Sequence, residues 1–285
     1  MTTNNPLPSL LVSAQALRAR LGDPRLALFD CRFSLADQTA GARAYAAGHL
    51  PGALYAHLDA DLSGRVTATT GRHPLPEPAR LAHWLGACGV GTGTEVVVYD
   101  DMGGAFAVRL WWLLHWLGHT RVALLDGGFQ AWQATGGALT TEVPEPTPTS
   151  FCEQPNETRW ITTNALAAAL PSTAVQVIDA RAPERFRGEQ EPIDPVAGHI
   201  PGAINLPFTG NLDADGYFLP PEALRARFAG ALGDTPPARV AHSCGSGVNA
   251  CHNLFAMELA GLSGSRLYAG SWSEWIRDPG RPVAV

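Results

Sequence analysis

The chain is poor in cysteine and in long apolar runs. Its 285 residues hold five cysteines, an odd number, and the N-terminal residues show no basic segment followed by a long apolar one. A disulfide framework is therefore not expected, and the thiols should be reduced. No stretch approaches the roughly 20 uncharged apolar residues of a membrane span. These absences predict a soluble, cytoplasmic protein without a membrane partner.

Basic residues are also scarce. Lys plus Arg number 20 against 26 Asp plus Glu, which gives a net charge of −6, and the basic residues are scattered singly. Because no basic patch can gather a phosphate backbone, nucleic acid is not an expected partner. The length and the 46% hydrophobic content suffice for two domains, each with a core of its own.

What the sequence does contain is an internal repeat. Residues 48–53 (GHLPGA) recur as residues 198–203 (GHIPGA). An apolar run ending in Asp precedes each copy, at residues 26–30 and 175–179. A second apolar run follows each copy, at residues 95–99 and 238–242. These runs are typical of buried parallel strands, and a duplicated fold is therefore predicted.

Strand and helix patterns alternate through both copies, which predicts an α/β fold with two tandem domains, each a mostly parallel sheet flanked by helices. The segment 140–157 is rich in proline and shows little apolar periodicity, so it is predicted to be a surface linker. The resulting division is an N-terminal domain at 1–139, the linker at 140–157, and a C-terminal domain at 158–285.

The sharpest local feature is the loop that begins at Cys244. This cysteine ends a predicted strand, and the segment from Asn249 onward is helical in character, so the loop lies where α/β proteins place their chemistry. The glycines let successive N–H groups converge on the sulfur, and a helix N-terminus adds partial positive charge. Such a nest favours a thiolate or an anionic persulfide. The alternative is a tight turn around a buried structural cysteine.

Alignment of the two copies places Asp101 opposite Cys244, so one copy lacks the nucleophile. The repeated Gly-His-(Leu/Ile)-Pro-Gly-Ala motif, the acidic residue and the Cys-Gly-Ser-Gly-Val loop together resemble the tandem rhodanese family over nearly the whole chain. The resemblance implies two rhodanese-like domains, of which only the C-terminal one is catalytic. It also implies a sulfurtransferase that carries a persulfide on Cys244 and needs no metal or organic cofactor. The predicted persulfide cradle comprises Gly245, Ser246, Gly247, Val248 and Asn249.

Three further residues are assigned through the same resemblance. Arg185 is similar to the family arginine that holds the carboxylate or sulfonate end of the donor, a role that suits a planar charged fork. His73 and Asp59 resemble the first-domain pair that approaches the cysteine in mercaptopyruvate-type members, where an imidazole could assist proton transfer. A solvated surface arginine and a solvated loop histidine are the alternatives.

Other conspicuous residues are predicted to serve the fold. His49 and His199 lie in the repeated motif, and their presence in a copy without the cysteine indicates a structural role. Cys251, with His242 and His252, lacks the short paired spacing of zinc sites, so no metal site is expected. Cys251 is instead predicted to be a packed helix residue, with a resolving thiol as the alternative. The aromatic residues that follow the first loop are predicted to form core or a domain interface and not a cofactor site.

Two rival functions compete with sulfur transfer. Related domains that hydrolyse phosphate esters use Cys-x₅-Arg, but the position six after Cys244 is Ala250, which leaves a phosphoryl group without a bidentate partner. A non-enzymatic sensor or scaffold of the rhodanese type is the second rival, and the intact cysteine loop speaks against it.

The sequence gives conflicting signals about the identity of the sulfur donor. The uncharged loop resembles the 3-mercaptopyruvate enzymes, whereas thiosulfate enzymes commonly place basic residues there. Mercaptopyruvate enzymes usually carry a second arginine where this chain has Ile193, which favours the thiosulfate alternative. We weigh the loop more heavily and predict a small sulfur donor, preferably 3-mercaptopyruvate, with a thiol, cyanide or thioredoxin-like acceptor.

Overall fold

A computed structural model of the protein describes residues 10–172 and 174–285. Internal contacts group the chain into two compact units. The first unit contains the described residues up to Ser63, then Pro76–Asn156 and Asp215–Tyr217. The second contains Gly64–Leu75, Glu157–Ala214 and Phe218–Val285. The short segment Gly64–Leu75, which carries His73, therefore belongs with the second unit.

The first unit alternates strands and helices. In chain order its elements are β1 (Leu11–Val12), α1 (Ala14–Arg18), β2 (Leu26–Asp30), α2 (Ala40–Ala47), β3 (Ala53–Tyr55), α3 (Pro78–Ala87), β4 (Glu95–Tyr99), α4 (Ala107–Trp116), β5 (Val122–Leu125) and α5 (Gly128–Ala134). The strands pair in the order β1-β5-β4-β2-β3, and every pair is parallel.

The second unit repeats this plan. Its elements are α6 (Thr163–Ala169), β6 (Gln176–Asp179), α7 (Pro183–Phe186), β7 (Ile204–Asn205), α8 (Pro221–Leu232), β8 (Val240–Ser243), α9 (Ala250–Leu259), β9 (Arg266–Leu267) and α10 (Ser271–Trp275). The strands pair in the order β7-β6-β8-β9, again all parallel. The predicted α/β architecture with two parallel sheets is confirmed.

Each sheet is buried because its central strands are continuously apolar. In β4 the run from Val96 to Tyr99 is fully buried, and in β8 Val240 and Ala241 are buried equally well. A parallel sheet covered by helices on both faces requires such runs. The helix α4 is buried along almost its whole length, including Trp111, Trp112 and Trp116, as predicted for core residues.

A repeated ion pair joins each central strand to its Gly-His motif. In the second unit, Asp179 accepts hydrogen bonds from the N–H and the guanidinium of Arg181, whose Nη2 also donates to the Gly198 carbonyl at 2.8 Å. The same contacts join Asp30, Arg32 and Gly48 in the first unit. Buried charges need such partners, so the Asp-x-Arg and Gly-His motifs recur together.

The side chains of the two motif histidines contact backbone carbonyl groups, as predicted. His49 lies within hydrogen-bonding distance of the Tyr45 carbonyl through Nδ1, at 2.8 Å, and stacks on the ring of Tyr45. His199 contacts the Phe186 carbonyl in the same way and stacks on that ring.

The segment 141–156 contains no helix or strand. It runs along the first unit, where Thr149 N–H donates to the Gly86 carbonyl and Gln154 N–H donates to the Leu117 carbonyl. None of the helices in the described part of the chain combines the length and the apolar character needed to cross a membrane.

Candidate active site

Cys244 follows β8 directly and lies at the carboxyl end of the second sheet. Its side chain is buried, and the loop that starts with it leads into α9 through the N-cap residue Asn249. The N–H of Cys244 donates to the Ser271 hydroxyl at 3.0 Å. The cysteine is thus held by both the strand and the first residue of α10.

Backbone N–H groups of the loop point at the cysteine sulfur. The Gly247 N–H lies 3.2 Å from Sγ and the Ser246 N–H lies 3.5 Å from it. With the N-terminus of α9 behind them, these donors form an anion-binding nest. Such a nest stabilises a thiolate or a persulfide anion.

Two unusual backbone conformations shape this loop. Gly247 has φ of +79°, and a Cβ at this position would collide with the Ala269 carbonyl. Ser271 is a non-glycine residue with φ of +51°. Its hydroxyl, besides accepting from Cys244, donates to the Tyr268 carbonyl at 2.9 Å. The strained Ser271 backbone is thereby fixed beside the cysteine, as is typical of functional sites.

The loop of the first unit corrects the predicted alignment. Tyr99 pairs with Asp30 in the first sheet, and Ser243 pairs with Asp179 in the second. Since Asp30 and Asp179 are equivalent, the next residues after the strands, Asp100 and Cys244, are equivalent too. The predicted equivalence of Asp101 with Cys244 is wrong because the first loop is one residue longer before its helix.

Asp100 fills the nest of the first unit with its own carboxylate. Oδ1 accepts from the N–H groups of Met102 and Gly104, and Oδ2 accepts from those of Phe106 and Ala107, all at 2.8 Å. The first unit therefore retains an anion nest, and a buried side chain of the protein occupies it.

His73 contacts the cysteine loop through the side chain of Ser246. His73 is buried, and its Nδ1 lies 2.7 Å from the Ser246 hydroxyl. The segment that carries His73 is tied to the second unit by the Arg72 N–H, which donates to the Ser273 hydroxyl at 3.1 Å. An imidazole and a hydroxyl in this arrangement can pass a proton.

The third predicted member of this group, Asp59, belongs to the first unit. It is half-buried, and its N–H lies 3.1 Å from Nδ1 of His57. A functional role for Asp59 stays a prediction.

Two guanidinium groups lie at the cysteine loop. A Cβ placed on Gly245 would lie 2.8 Å from Nη2 of Arg72 and 3.5 Å from Nη1 of Arg185. Gly245 lets both guanidinium groups lie close to the backbone of the loop. Arg185 was predicted to bind the donor, and the structure brings it to the loop. Ile193, where a second arginine was expected, is 42% exposed, and the second guanidinium comes from Arg72 instead.

Both guanidinium groups have carboxylate partners. Arg185 makes a bidentate contact with Glu191 at 2.7 and 3.2 Å. Asp194 pairs with Arg72 through one oxygen and with Arg185 through the other. Burial raises the pKa of the Asp194 carboxyl, and Arg72 opposes this. Burial also acts to raise the pKa of Glu191, but the hydrogen bonds and charge of Arg185 together with the N–H groups of Asp194 and Ile193 outweigh it, and the pKa is lowered.

The remaining cysteines lie outside the loop that begins at Cys244. Burial raises the pKa of the Cys31 thiol far above its ordinary value and that of Cys88 to about 12. Cys152 is exposed. Cys251 is a buried residue of α9 whose thiol donates to the Gly247 carbonyl at 3.4 Å, in line with its predicted packing role.

The histidines near the loop are not arranged as metal ligands. Burial lowers the pKa of His242 to about 3, and its Nε2 contacts the Ser265 hydroxyl. His252 packs on the ring of Phe218 and contacts Asn211. Within residues 10–172 and 174–285, no group of three or more His, Cys, Asp or Glu side chains is placed to hold a metal.

Sequence reasoning missed Arg72 and Asp194. Arg72 is adjacent to His73, and this neighbourhood is the signal that could have identified it. Asp194 carried no local signal, because its partner Arg72 lies 122 positions away in the chain. A parallel-sheet unit with a cysteine nest at the carboxyl edge is suited to nucleophilic chemistry at an anionic sulfur.

Comparison with known proteins agrees with this geometry. The sequence model of the rhodanese-like domain matches twice, at residues 13–135 and 162–278. A Pseudomonas aeruginosa protein named "Probable 3-mercaptopyruvate sulfurtransferase" is 55% identical over 277 residues, covering 96% of this chain and 98% of that protein. The thiosulfate sulfurtransferase of Rattus norvegicus is 34% identical over 269 residues, covering 93% and 89% respectively.

Among solved structures, the 3-mercaptopyruvate sulfurtransferase of Leishmania major superposes with a TM-score of 0.83 at 31% identity, covering 95% of this chain and 75% of that one. The chain therefore belongs to the rhodanese family, with two rhodanese-like domains in tandem. It is an enzyme, a sulfurtransferase.

Proposed function

We propose that the enzyme moves a sulfane sulfur from 3-mercaptopyruvate, through a persulfide on Cys244, to a thiol or cyanide acceptor. The observation that carries the proposal is the 2.7 Å contact between His73 Nδ1 and the Ser246 hydroxyl at the cysteine loop. Mercaptopyruvate has a thiol proton that must move during transfer, whereas thiosulfate has none. The relative at 55% identity, named for mercaptopyruvate, supports the same donor.

The first half-reaction begins at the thiolate of Cys244. It attacks the donor sulfur and forms an S–S bond, while the C–S bond breaks and its electron pair leaves with the carbon as the enolate of pyruvate. The proton of the donor thiol passes through Ser246 and His73 to that carbon, which yields pyruvate. The persulfide anion that remains is stabilised by the N–H groups of Ser246 and Gly247.

Arg72 and Arg185 hold the carboxylate of the donor in this proposal. Planar guanidinium groups suit a carboxylate because they donate two parallel hydrogen bonds. Nη2 of Arg72 and Nη1 of Arg185 are the guanidinium nitrogens that face Gly245 of the loop, and in this proposal they donate to the donor carboxylate. The predicted cradle residues, which include Gly245, Val248 and Asn249, line the path of the transferred sulfur.

In the second half-reaction an acceptor nucleophile attacks the outer sulfur, and the Cys244 thiolate leaves. Cyanide gives thiocyanate, and a small thiol or a thioredoxin-like protein gives a new persulfide. Thiosulfate use is the second candidate, since a relative at 34% identity is named for it.

A direct comparison of donors tests this proposal. We expect kcat/KM for 3-mercaptopyruvate to exceed that for thiosulfate by about tenfold, because the paired arginines offer little net charge to a dianion. Cyanide-dependent thiocyanate formation, measured with each donor at matched ionic strength, gives the ratio. Equal or higher efficiency with thiosulfate would contradict the choice of donor.

The proton path is tested by Ser246→Ala. Loss of the hydroxyl should slow persulfide formation from mercaptopyruvate about 10²-fold, the usual size of a general acid–base contribution. The rate from thiosulfate should change less than about threefold, since the Ser246 N–H remains in place. Ser263→Ala, the same change at an exposed serine that contacts Glu258, is the matched control. A similar loss with both donors would refute the proton path.

A further inference from the structure

The acidic segment from Glu191 to Asp194 faces the two donor-binding arginines. The Asp194 side chain is only 4% exposed, and it lies between Arg72 and Arg185, with its Oδ2 3.2 Å from Nη2 of Arg185. Its N–H donates to Oε1 of Glu191 at 3.0 Å, which fixes the carboxylate in this position. One carboxylate thus bridges both guanidinium groups.

The charges of this cluster balance. Three arginines form ion pairs with the three carboxylates Asp179, Glu191 and Asp194. The pairs are Arg72–Asp194, Arg181–Asp179, Arg181–Glu191, Arg185–Glu191 and Arg185–Asp194. The chain contains no lysine, so every side-chain cation other than histidine is an arginine. A donor that enters the loop therefore meets positive groups whose charge is already compensated.

The consequence depends on the charge of the donor. A monoanionic carboxylate needs directed hydrogen bonds from a guanidinium more than a large net charge. A dianion without a carboxylate depends more on net positive potential, because the Coulomb energy scales with the product of the charges. The bridging carboxylate lowers this potential at the cysteine loop, so it penalises the dianion more heavily.

We propose that Asp194 is a specificity-determining residue, which bridges Arg72 and Arg185 and thereby selects monoanionic carboxylate donors against dianionic ones. This inference rests on the proposed function, in which both arginines bind the donor. Asp194 acts on the donor through the two arginines, so it is a positioning residue and not a catalytic one.

The test uses Asp194→Asn, which keeps the size of the side chain and removes its charge. Persulfide formation in the absence of acceptor is followed by quenched-flow and mass spectrometry, at several concentrations of thiosulfate and of 3-mercaptopyruvate. We expect the thiosulfate-to-mercaptopyruvate ratio of second-order rate constants to rise about tenfold, mainly through tighter thiosulfate binding. The rise should shrink at high salt.

Two controls separate charge from structure. Glu189→Gln removes a charge from an exposed residue that pairs with Arg187 on the same segment, and it should leave the ratio unchanged. Asp194→Glu keeps the charge and should keep the wild-type ratio. If Asp194→Asn does not fold, Asp194→Ser carries the same expectation.

The experiment distinguishes a failure of the Asp194 role from a failure of the proposed function. If the wild-type enzyme forms no persulfide from mercaptopyruvate, the proposed function fails. If it does, and Asp194→Asn changes both donors equally or no more than Glu189→Gln does, the specificity role of Asp194 is refuted while the proposed function stands.

Discussion

Replacing Cys244 with serine is expected to lower the rate of sulfur transfer by at least about 10³-fold, because a hydroxyl stays protonated at neutral pH and cannot carry a persulfide. Cys244 is the cysteine that receives N–H groups from its own loop, at 3.2 and 3.5 Å from Sγ. The turnover of mercaptopyruvate with cyanide measures the loss.

Mass spectrometry locates the sulfur. Incubation of the wild-type enzyme with donor should add the mass of one sulfur atom to the peptide that contains Cys244. Cys88→Ser and Cys152→Ser are the matched controls and should retain most of the activity, since burial holds the Cys88 pKa at about 12 and Cys152 is an exposed residue of the first unit. Added sulfur on another cysteine would overturn the assignment.

Replacing Asp100 with asparagine is expected to lower the free energy of unfolding by about 2–6 kcal/mol. The Asp100 carboxylate accepts four backbone N–H groups at 2.8 Å, and it is completely buried. An amide nitrogen donates instead of accepting, so two of these N–H groups would face another donor. Each buried donor left without an acceptor costs about 1–3 kcal/mol.

Urea unfolding followed by tryptophan fluorescence measures this loss, because Trp111, Trp112 and Trp116 lie on the helix that begins at the Asp100 loop. Asp101→Asn is the matched control at the half-buried neighbour, and it should cost less than about 1 kcal/mol. Equal losses in the two variants would contradict the view that Asp100 is the residue that fills the nest.

The two loops give a physical reason why sulfur transfer is proposed for the second unit and not for the first. In the second unit the nest points at the Cys244 thiol, the group proposed to carry the transferred sulfur as a persulfide. In the first unit the same type of nest is filled by the Asp100 carboxylate, with no room for a further anion among its four donors. The resemblance to the family implied an inactive first domain, and the hydrogen bonds of Asp100 support that prediction.

Much of the fold was predictable because the relevant signals are local. Strand patterns of continuous apolar residues, the two Gly-His motifs and the alternation of strands and helices each occupy a few neighbouring positions. Asp101 was wrongly aligned with Cys244 because the spacing between motifs does not show where within the loop the extra residue lies. One extra residue in the first loop leaves both flanking motifs intact, so only the register of Tyr99 with Asp30 reveals it.

The amino-acid sequence by itself determined the duplicated α/β architecture, the position of Cys244 at the end of a strand, and the glycines that let its loop close. Only the tertiary structure decided which distant side chains meet there. Ser246 lies 173 positions from His73, and Asp194 lies 122 positions from Arg72. Contacts over such distances depend on the path of the whole chain, and no spacing within one segment encodes them.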